Sequence, residues 1–455
     1  MTRSVPDSCP GVLRLHEAAD GPLARIRIPA GMLRPDQLQV LAAAAHDLGD
    51  DHIELTSRGN VQLRRMHDAA ALAERLDAVG LLPSATHERV RNIVASPLSG
   101  RVGGPADVRA LVPALDDGLR SSPDLAELPG RVLFTLDDGR GDVSGLGGDI
   151  GVHAVGENEY ALLLGGTDTG IRLPGDAAVG TLLAAAHAFQ DLRGEHWRLH
   201  EIPGGPALVA EQLGLNGSTA RLGLGDSAAQ PGPNDSATRP GPDGSAAQPG
   251  IKGSAARPRT GSGAPLEIGA RHAIPIGWFT QADGRVALGA GVPLGSLPAR
   301  TAEFVAAVDR PVIVTPWRSL VLADLDEWAA EQVVRVLAPM GLLFDADSPW
   351  LQVTACAGKP GCAKSRTDVR ADLAEAIAQG RIRPGAPPPS VADGSSLPAN
   401  QPPPATGLAA ADVSVAGRQH WSGCDRRCGR PKGPVTDVVA EPGGYRIAPP
   451  AESAR

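Results

Sequence analysis

One order of elements is written twice along this chain, and that repetition limits the folds open to it. In the first copy a strand-like run at 23–31 precedes a helical run at 36–48, a strand over 52–65 and a helix over 69–80 whose Leu72, Leu76 and Val79 fall at helical spacing. In the second copy a strand-like run at 285–295 precedes a helix near 301–308, a strand over 312–325 and a helix over 327–341. The contents agree too. Thr56-Ser57-Arg58 answers Thr315-Pro316-Trp317-Arg318, and an Asp-Val-Arg-Ala helix start recurs at Asp107 and Asp368. Two copies of one strand–helix–strand–helix unit predict an α+β fold of duplicated modules related by a pseudo-twofold axis, with a ligand site at their interface.

Two stretches read as linkers. Residues 226–258 repeat nine residues in tandem, DSAAQPGPN, DSATRPGPD, GSAAQPGIK and GSAARP, which cannot bury enough apolar surface to offset the entropy of ordering them. Disorder is therefore expected over 214–265, and again over 381–412, where PGAPPPS and NQPPPAT occur.

A net charge of −8 argues against general nucleic-acid affinity, which needs a basic face. No apolar run approaches the roughly 20 residues that span a bilayer. The first ten residues contain Asp7 and lack an apolar core, so no signal peptide is expected. Five cysteines in 455 residues do not make a disulfide scaffold. A reducing, cytoplasmic compartment is the expectation, and there clustered cysteines bind metal or catalyse.

Four cysteines cluster. Cys356-x5-Cys362 is followed by Cys424-x3-Cys428, while Cys9 stands apart. Four thiolates in two pairs suit a zinc ion or a cubane iron–sulfur cluster. The five-residue gap is long for a zinc knuckle but can wrap a cluster, and Gly358, Gly361 and Gly423 let the backbone come close.

This pattern resembles the cluster signature of the sulfite and nitrite reductase superfamily, and His420-Trp421-Ser422-Gly423-Cys424 is similar to the lead-in to its second pair. The resemblance implies a [4Fe–4S] cluster held by Cys356, Cys362, Cys424 and Cys428, with Cys428 facing a tetrapyrrole. Leu55-Thr56-Ser57-Arg58-Gly59-Asn60-Val61-Gln62-Leu63-Arg64 is similar to the superfamily's L-T-x-R-x-x-x-Q strand, whose Arg meets tetrapyrrole carboxylates. The R-G-N-x-Q-L-R form, Cys9-Pro10-Gly11, Arg91-Asn92-Ile93, Ser96-Pro97-Leu98-Ser99-Gly100 and Thr315-Pro316-Trp317-Arg318 resemble the precorrin-3B synthase branch in particular. The implied domains are a ferredoxin-like half-domain at 1–68 and an α+β domain at 69–213. After the linker at 214–265 follow a second half-domain at 266–326 and a cluster domain at 327–455 with the insertion at 381–412.

Guanidinium groups bind carboxylates bidentately and stay charged at any working pH. Arg58 and Arg318, placed symmetrically in the copies, are the expected anchors for an acidic macrocycle, with Arg64, Arg91, Asn92 and Arg131 as further candidates. Arg65 and Arg101 are expected at the surface. The resemblance breaks at Arg131-Val132-Leu133-Phe134, where the reductases carry two lysines two residues apart to hold sulfite or nitrite and this chain has Arg131 and Leu133.

The branch resemblance implies hydroxylation of precorrin-3A at a meso carbon with O2, lactone formation from a ring acetate, and NADH as the source of electrons. No Gly-rich dinucleotide fingerprint is present, so an electron-donor protein, or NADH acting indirectly, is expected. A non-haem iron is also implied, but the eleven histidines show no spacing that places a 2-His-1-carboxylate triad, and no catalytic residue is assigned. The alternatives are a siroheme-dependent sulfite or nitrite reductase and a non-catalytic tetrapyrrole-binding or electron-transfer protein.

Overall fold

The computed structural model describes residues 9–18, 20–215, 259–260, 266, 274–383, 405–408, 415–431 and 433–450. The first half-domain runs β1 (His16–Ala18), β2 (Gly21–Ile26), β3 (Met32–Leu33), α1 (Pro35–Leu48), β4 (His52–Leu55), β5 (Val61–Arg64) and α2 (Ala69–Ala78). Alternate side chains of its strands, Ala24 and Ile26, Ile53 and Leu55, Val61 and Leu63, enter one apolar core together with Leu38 and Leu41 of α1 and Leu72 and Leu76 of α2. An α+β domain follows, with β6 (Ile93–Ala95), α3 (Leu111–Arg120), β7 (Phe134–Asp137), β8 (Ile150–Gly156), β9 (Glu159–Leu164), β10 (Thr167–Pro174), α4 (Gly175–Leu192), α5 (Gly205–Gln212) and β11 (Arg259–Thr260). The second half-domain is β12 (Gly277–Thr280), β13 (Val286–Gly291), β14 (Ser296–Pro298), α6 (Ala299–Ala306), β15 (Val312–Val314), β16 (Ser319–Leu325) and α7 (Glu327–Leu337). The last domain holds β17 (Val353–Ala355), α8 (Val369–Ala378), β18 (Ile382–Arg383), β19 (Ala405–Leu408), β20 (Val415–Ala416), β21 (Gln419–Ser422), β22 (Thr436–Glu441) and β23 (Gly444–Ala448).

The half-domains exchange strands. The sheet orders are β1-β2-β5-β4-β14 and β12-β13-β16-β15-β3, so β14 of the second half closes the first sheet and β3 of the first half closes the second. Ser296 pairs with Glu54, and Val312 with Leu33, both antiparallel. One core spans both sheets and all four flanking helices. The other two domains repeat each other as well. β6-β7-β8 and β17-β21-β22 are parallel triplets, each continued by an antiparallel strand, β9 or β23. The duplicated α+β architecture expected from the sequence is present.

Several local expectations change. The single strands at 52–65 and 312–325 are hairpins, because Thr56 N–H donates to Asn60 O at 2.9 Å and Thr315 N–H donates to Ser319 O at 2.9 Å, closing tight turns. Asp368 caps α8 by accepting from Ala371 N–H, but Asp107 pairs with Arg109 and the first helix begins four residues later, at Leu111. Within the spans read as linkers, Arg259–Thr260 pairs with β10, Ile382–Arg383 pairs with β20, and Ala405–Leu408 joins β23. The tandem repeat lies outside the described residues. No described helix is long and apolar enough to cross a membrane.

Candidate functional site

Strand alternation aims Arg27 away from the core that receives Ile26 and Ile28. Arg27 is 2% exposed, and its Nε, Nη1 and Nη2 have no hydrogen-bond partner among the described residues. Burial first, and then the charge of Arg25, pushes its pKa down to about 9, while Cys9 and Glu88 act in the opposite direction. Arg58, on the β4–β5 turn, is pushed down to about 10, chiefly by burial and then by Arg198. Arg27 and Arg58 press on each other electrostatically. Burying unpaired guanidinium is costly, so this arrangement suits an anion brought in by a ligand. Cys9 borders the same place. Gly11 O accepts from Arg25 N–H at 3.1 Å, and the Glu88 carboxylate accepts from Val12 N–H at 2.6 Å. A Cβ on Gly11 would stand 2.2 Å from Glu88 Oε1, which is why glycine follows Cys9-Pro10.

Arg318 comes to the interface by a different route from the one its spacing suggests. The hairpin bonds pair Thr56 with Thr315 and Asn60 with Ser319, so Trp317 is the counterpart of Arg58, and Arg318 occupies the slot of Gly59. Gly59 has φ 65° and Arg318 φ 59°, a left-handed conformation that glycine adopts readily and arginine adopts at a cost. Burial pulls the Arg318 pKa down, with Glu54 and Arg370 acting in opposite directions on it. Glu54 also holds Arg370 at 3.2 Å, and Arg370 Nε donates to Cys356 O at 3.3 Å, which joins this turn to the cysteine loop.

The remaining candidates are engaged within the protein. Arg64 forms an ion pair with Asp20. Arg91 Nε donates to Asp116 at 2.6 Å, both side chains being buried. Asn92 accepts from Asn60 Nδ2 at 3.1 Å and donates to Gly130 O at 2.9 Å, tying the Arg58 turn to the segment before β7. In that segment Arg131 lies over the Trp197 ring at 4.5 Å, and Leu133 packs with Val94 and Val143. Arg65 is exposed, as expected. Arg101 is not: only 8% exposed, it pairs with Asp324 at 2.8 Å across the two halves.

The cysteine loops begin where β17 and β21 end. Cys356 N–H donates to Trp421 O at 3.0 Å, Gly423 N–H donates to Cys356 Sγ at 3.3 Å, and Cys362 N–H donates to Gly358 O at 2.7 Å. Gly423 could carry no side chain, since a Cβ would lie 1.7 Å from Ser365 Oγ. Cys356, Cys362 and Cys424 are partly buried and Cys428 is exposed. Among the described residues, the one set of three or more ligand-type atoms within 4.8 Å of one another is Asp137, Asp138 and Asp142. No three of the cysteine sulfurs therefore lie within that distance of one another among the described residues. The aspartates are already satisfied: Asp137 accepts from four backbone N–H groups, Asp138 pairs with Arg140, and Asp142 accepts from Ser96 Oγ.

Residues 16–79 match the family described as nitrite/sulfite reductase ferredoxin-like half domain. A precorrin-3B synthase of Sinorhizobium sp is 26% identical over 452 residues, covering 97% of this chain and 82% of the relative. A ferredoxin–nitrite reductase of Synechococcus elongatus is 36% identical over 127 residues, 26% of this chain, and one of Leptolyngbya laminosa is 33% identical over 123 residues. These matches span about a quarter of the two nitrite reductases. The structure of the Mycobacterium tuberculosis NirA protein superposes with a TM-score of 0.62 over 94% of this chain and 73% of that one, at 18% identity. The chain's similarities thus lie with proteins of the nitrite/sulfite reductase superfamily. Arg27 is a buried cation outside the set of site residues expected from the sequence. Its signal was present in Ile26-Arg27-Ile28, one cation alternating with two core side chains. A cleft of about 550 Å³ beside Asp309, Arg310 and Asp326 lies elsewhere; it touches Asp324, the partner of Arg101, and none of the candidate site residues.

Proposed function

We propose that this chain is a precorrin-3B synthase-type oxidoreductase that binds an acidic tetrapyrrole against Arg27 and Arg58. The reaction is hydroxylation of precorrin-3A at a meso carbon with O2 and lactone formation from a ring acetate. The observation that carries the reading is Arg27, buried with three nitrogens that have no partner among the described residues, and still cationic at neutral pH with a pKa of about 9. Such a group is satisfied by an anion, and a carboxylate meets its planar fork with two parallel hydrogen bonds. The near full-length match to a precorrin-3B synthase supports the choice of branch.

Cys356, Cys362, Cys424 and Cys428 would hold a [4Fe–4S] cluster, which supplies one-electron chemistry when bound. The chain's own residues bind and orient. Arg27 and Arg58 take macrocycle carboxylates from one side, and Arg318 approaches from the other half. Leu133, buried among Val94 and Val143, leaves no second cation for a small inorganic anion next to Arg131. Electrons would come from NADH through a donor protein, and the ligands of a non-haem iron are not assigned.

A second reading, a siroheme-dependent sulfite or nitrite reductase, draws on the higher identity of the shorter matches. Anaerobic purification with iron, sulfide and optical analysis separates the two. The first reading expects cluster iron and sulfide without siroheme. With reductant, precorrin-3A and isotopically heavy O2, it expects a product heavier by one labelled oxygen atom. Tightly bound siroheme with turnover of sulfite or nitrite, and precorrin-3A left untouched, would establish the second.

A further inference from the structure

The segment before β1 is a strap laid against the strand that leads to Arg27. Gly11 N–H donates to Arg14 O at 2.9 Å, which folds the strap back, and Arg25 N–H donates to Gly11 O at 3.1 Å, which holds it beside β2. Cys9, two residues before Gly11, acts electrostatically on both Arg27 and Arg58. Glu88 also acts on Arg27, but its carboxylate is committed to the strap's backbone, accepting from Val12 N–H at 2.6 Å and from Leu13 N–H at 3.3 Å. The three guanidinium nitrogens of Arg27 have no hydrogen-bond partner among the described residues, so neither the Glu88 carboxylate nor the Cys9 sulfur reaches them. Arg27 is sealed from solvent, whereas Cys9 is partly exposed. A small reagent can therefore meet the thiol although it cannot meet the guanidinium. Reactive cysteines are those held beside cations and partly open to solvent, and Cys9 meets both conditions.

We propose that Cys9 is a site of oxidation by hydroperoxides, and that the oxyanion formed on its sulfur becomes the partner of Arg27. The thiolate attacks the peroxide, and an S–O bond forms as the O–O bond breaks. Sulfur gives up two electrons. One peroxide oxygen stays on it as a sulfenate, and the other leaves as water with both peroxide protons. The added oxygen extends the side chain toward a guanidinium that the sulfur alone does not reach, and supplies the charge-assisted hydrogen bond that Arg27 lacks. The modified side chain then stands in for a ligand carboxylate, so the oxidised protein should bind acidic macrocycles poorly. That consequence rests on the tetrapyrrole reading above; the oxidation itself does not.

The test exposes the anaerobically purified full chain to a small excess of hydrogen peroxide and reads Cys9 by iodoacetamide labelling and peptide mass. Cys9 should lose its label and regain it after dithiothreitol, as a sulfenate does. In Arg27→Met the loss should be about three- to tenfold slower, because one of the two cations beside the thiol is gone. Oxidised wild type should unfold at higher urea than reduced wild type, since Arg27 gains a counter-charge, and Cys9→Ser should show no such gain. Uroporphyrin III affinity, followed by fluorescence, should fall at least about tenfold on oxidation of wild type and recover with dithiothreitol, while the same treatment leaves it unchanged in Cys9→Ser. A Cys9 that keeps its label, that oxidises as fast without Arg27 as with it, or that oxidises with no gain in stability would overturn the proposal. Arg27-dependent oxidation with that gain, in a protein that never binds uroporphyrin, would uphold it and overturn the tetrapyrrole reading instead. Should Arg27→Met not fold, the stability comparison between wild type and Cys9→Ser decides.

Discussion

Ser96 and Cys356 are counterparts across the pseudo-twofold. Ser96 Oγ accepts from Asp138 N–H at 3.1 Å, as Cys356 Sγ accepts from Gly423 N–H at 3.3 Å. Their own N–H groups donate to Leu136 O at 3.1 Å and Trp421 O at 3.0 Å, the third residues of β7 and β21. One backbone frame therefore serves two purposes. In the second half it presents a thiol at the mouth of a cysteine loop. In the first it closes on itself, with Ser96 Oγ donating to Asp142 at 2.6 Å and Arg140 held by Asp138.

That closed loop predicts a pH dependence. Burial, and then the charge of Asp137, raises the Asp142 pKa from 3.8 to about 7, against the Ser96 hydrogen bond and Arg140. The folded pKa lies above the unfolded one, so the stabilising contribution is complete below about pH 4 and is lost as the pH rises through about 7. Asp142→Asn, which keeps an acceptor for Ser96 without the charge, should be more stable than wild type at pH 8. The advantage should shrink as the pH is lowered toward 4 in urea unfolding at stepped pH. A constant difference across that range would show that Asp142 is already ionised without penalty.

Gly59 and Arg318 share a backbone slot but not a tolerance for change. A Cβ on Gly59 would add left-handed strain and a 2.9 Å approach to Val314 O, so Gly59→Ala should cost roughly 1–3 kcal/mol. Arg318→Gly relieves the same strain and loses some packing over Gly295, so its stability should stay within about 1 kcal/mol of wild type while porphyrin affinity falls. Urea midpoints and a fluorescence titration with uroporphyrin III measure the two effects separately.

Serine at any one of Cys356, Cys362, Cys424 or Cys428 should abolish the brown chromophore and the acid-labile sulfide, whereas Cys9→Ser should keep both. Stoichiometric zinc without sulfide in the wild-type protein would refute the cluster assignment.

Arg58→Lys keeps a charge and loses the planar fork. A charge-assisted hydrogen bond is worth about 1.5–3 kcal/mol, so uroporphyrin affinity should fall roughly ten- to a hundredfold. An unchanged affinity would remove Arg58 from the pocket wall.

Duplication was legible because element order and helix periodicity are local properties. Leu72 and Leu76 in α2, and Asp368 capping α8, follow from spacing and side-chain chemistry alone. The exchange of β3 and β14 was not legible, because two- and three-residue strands carry no periodic signal and their partners lie far away in sequence. Register was the other loss. Thr-x-Arg and Thr-x-x-Arg look alike on paper, yet the turn geometry aligns Arg58 with Trp317 and gives Arg318 the glycine slot. Arg64, Arg91 and Arg101 show a related limit, because their carboxylate partners Asp20, Asp116 and Asp324 are distant along the chain and only the fold reveals the pairs.

Arg27 gives the sharpest test, because stability and function should part company there. Arg27 is 2% exposed and its guanidinium has no partner among the described residues, so it opposes folding at every pH at which it is charged. The folded pKa of about 9 lies below the ordinary 12.5, so this penalty is complete at neutral pH and lifts only as the pH rises above about 9. Arg27→Met keeps an unbranched apolar stem between Ile26 and Ile28 and removes the charge. The variant should unfold at higher urea than wild type, by roughly 1–3 kcal/mol, as expected when a buried uncompensated charge is replaced by a hydrophobe. The same change should lower uroporphyrin affinity at least about tenfold, through loss of a charge-assisted bond. A variant that is less stable and still binds the porphyrin normally would mean that Arg27 already has its partner inside the protein, and the anion pocket would have to be sought elsewhere.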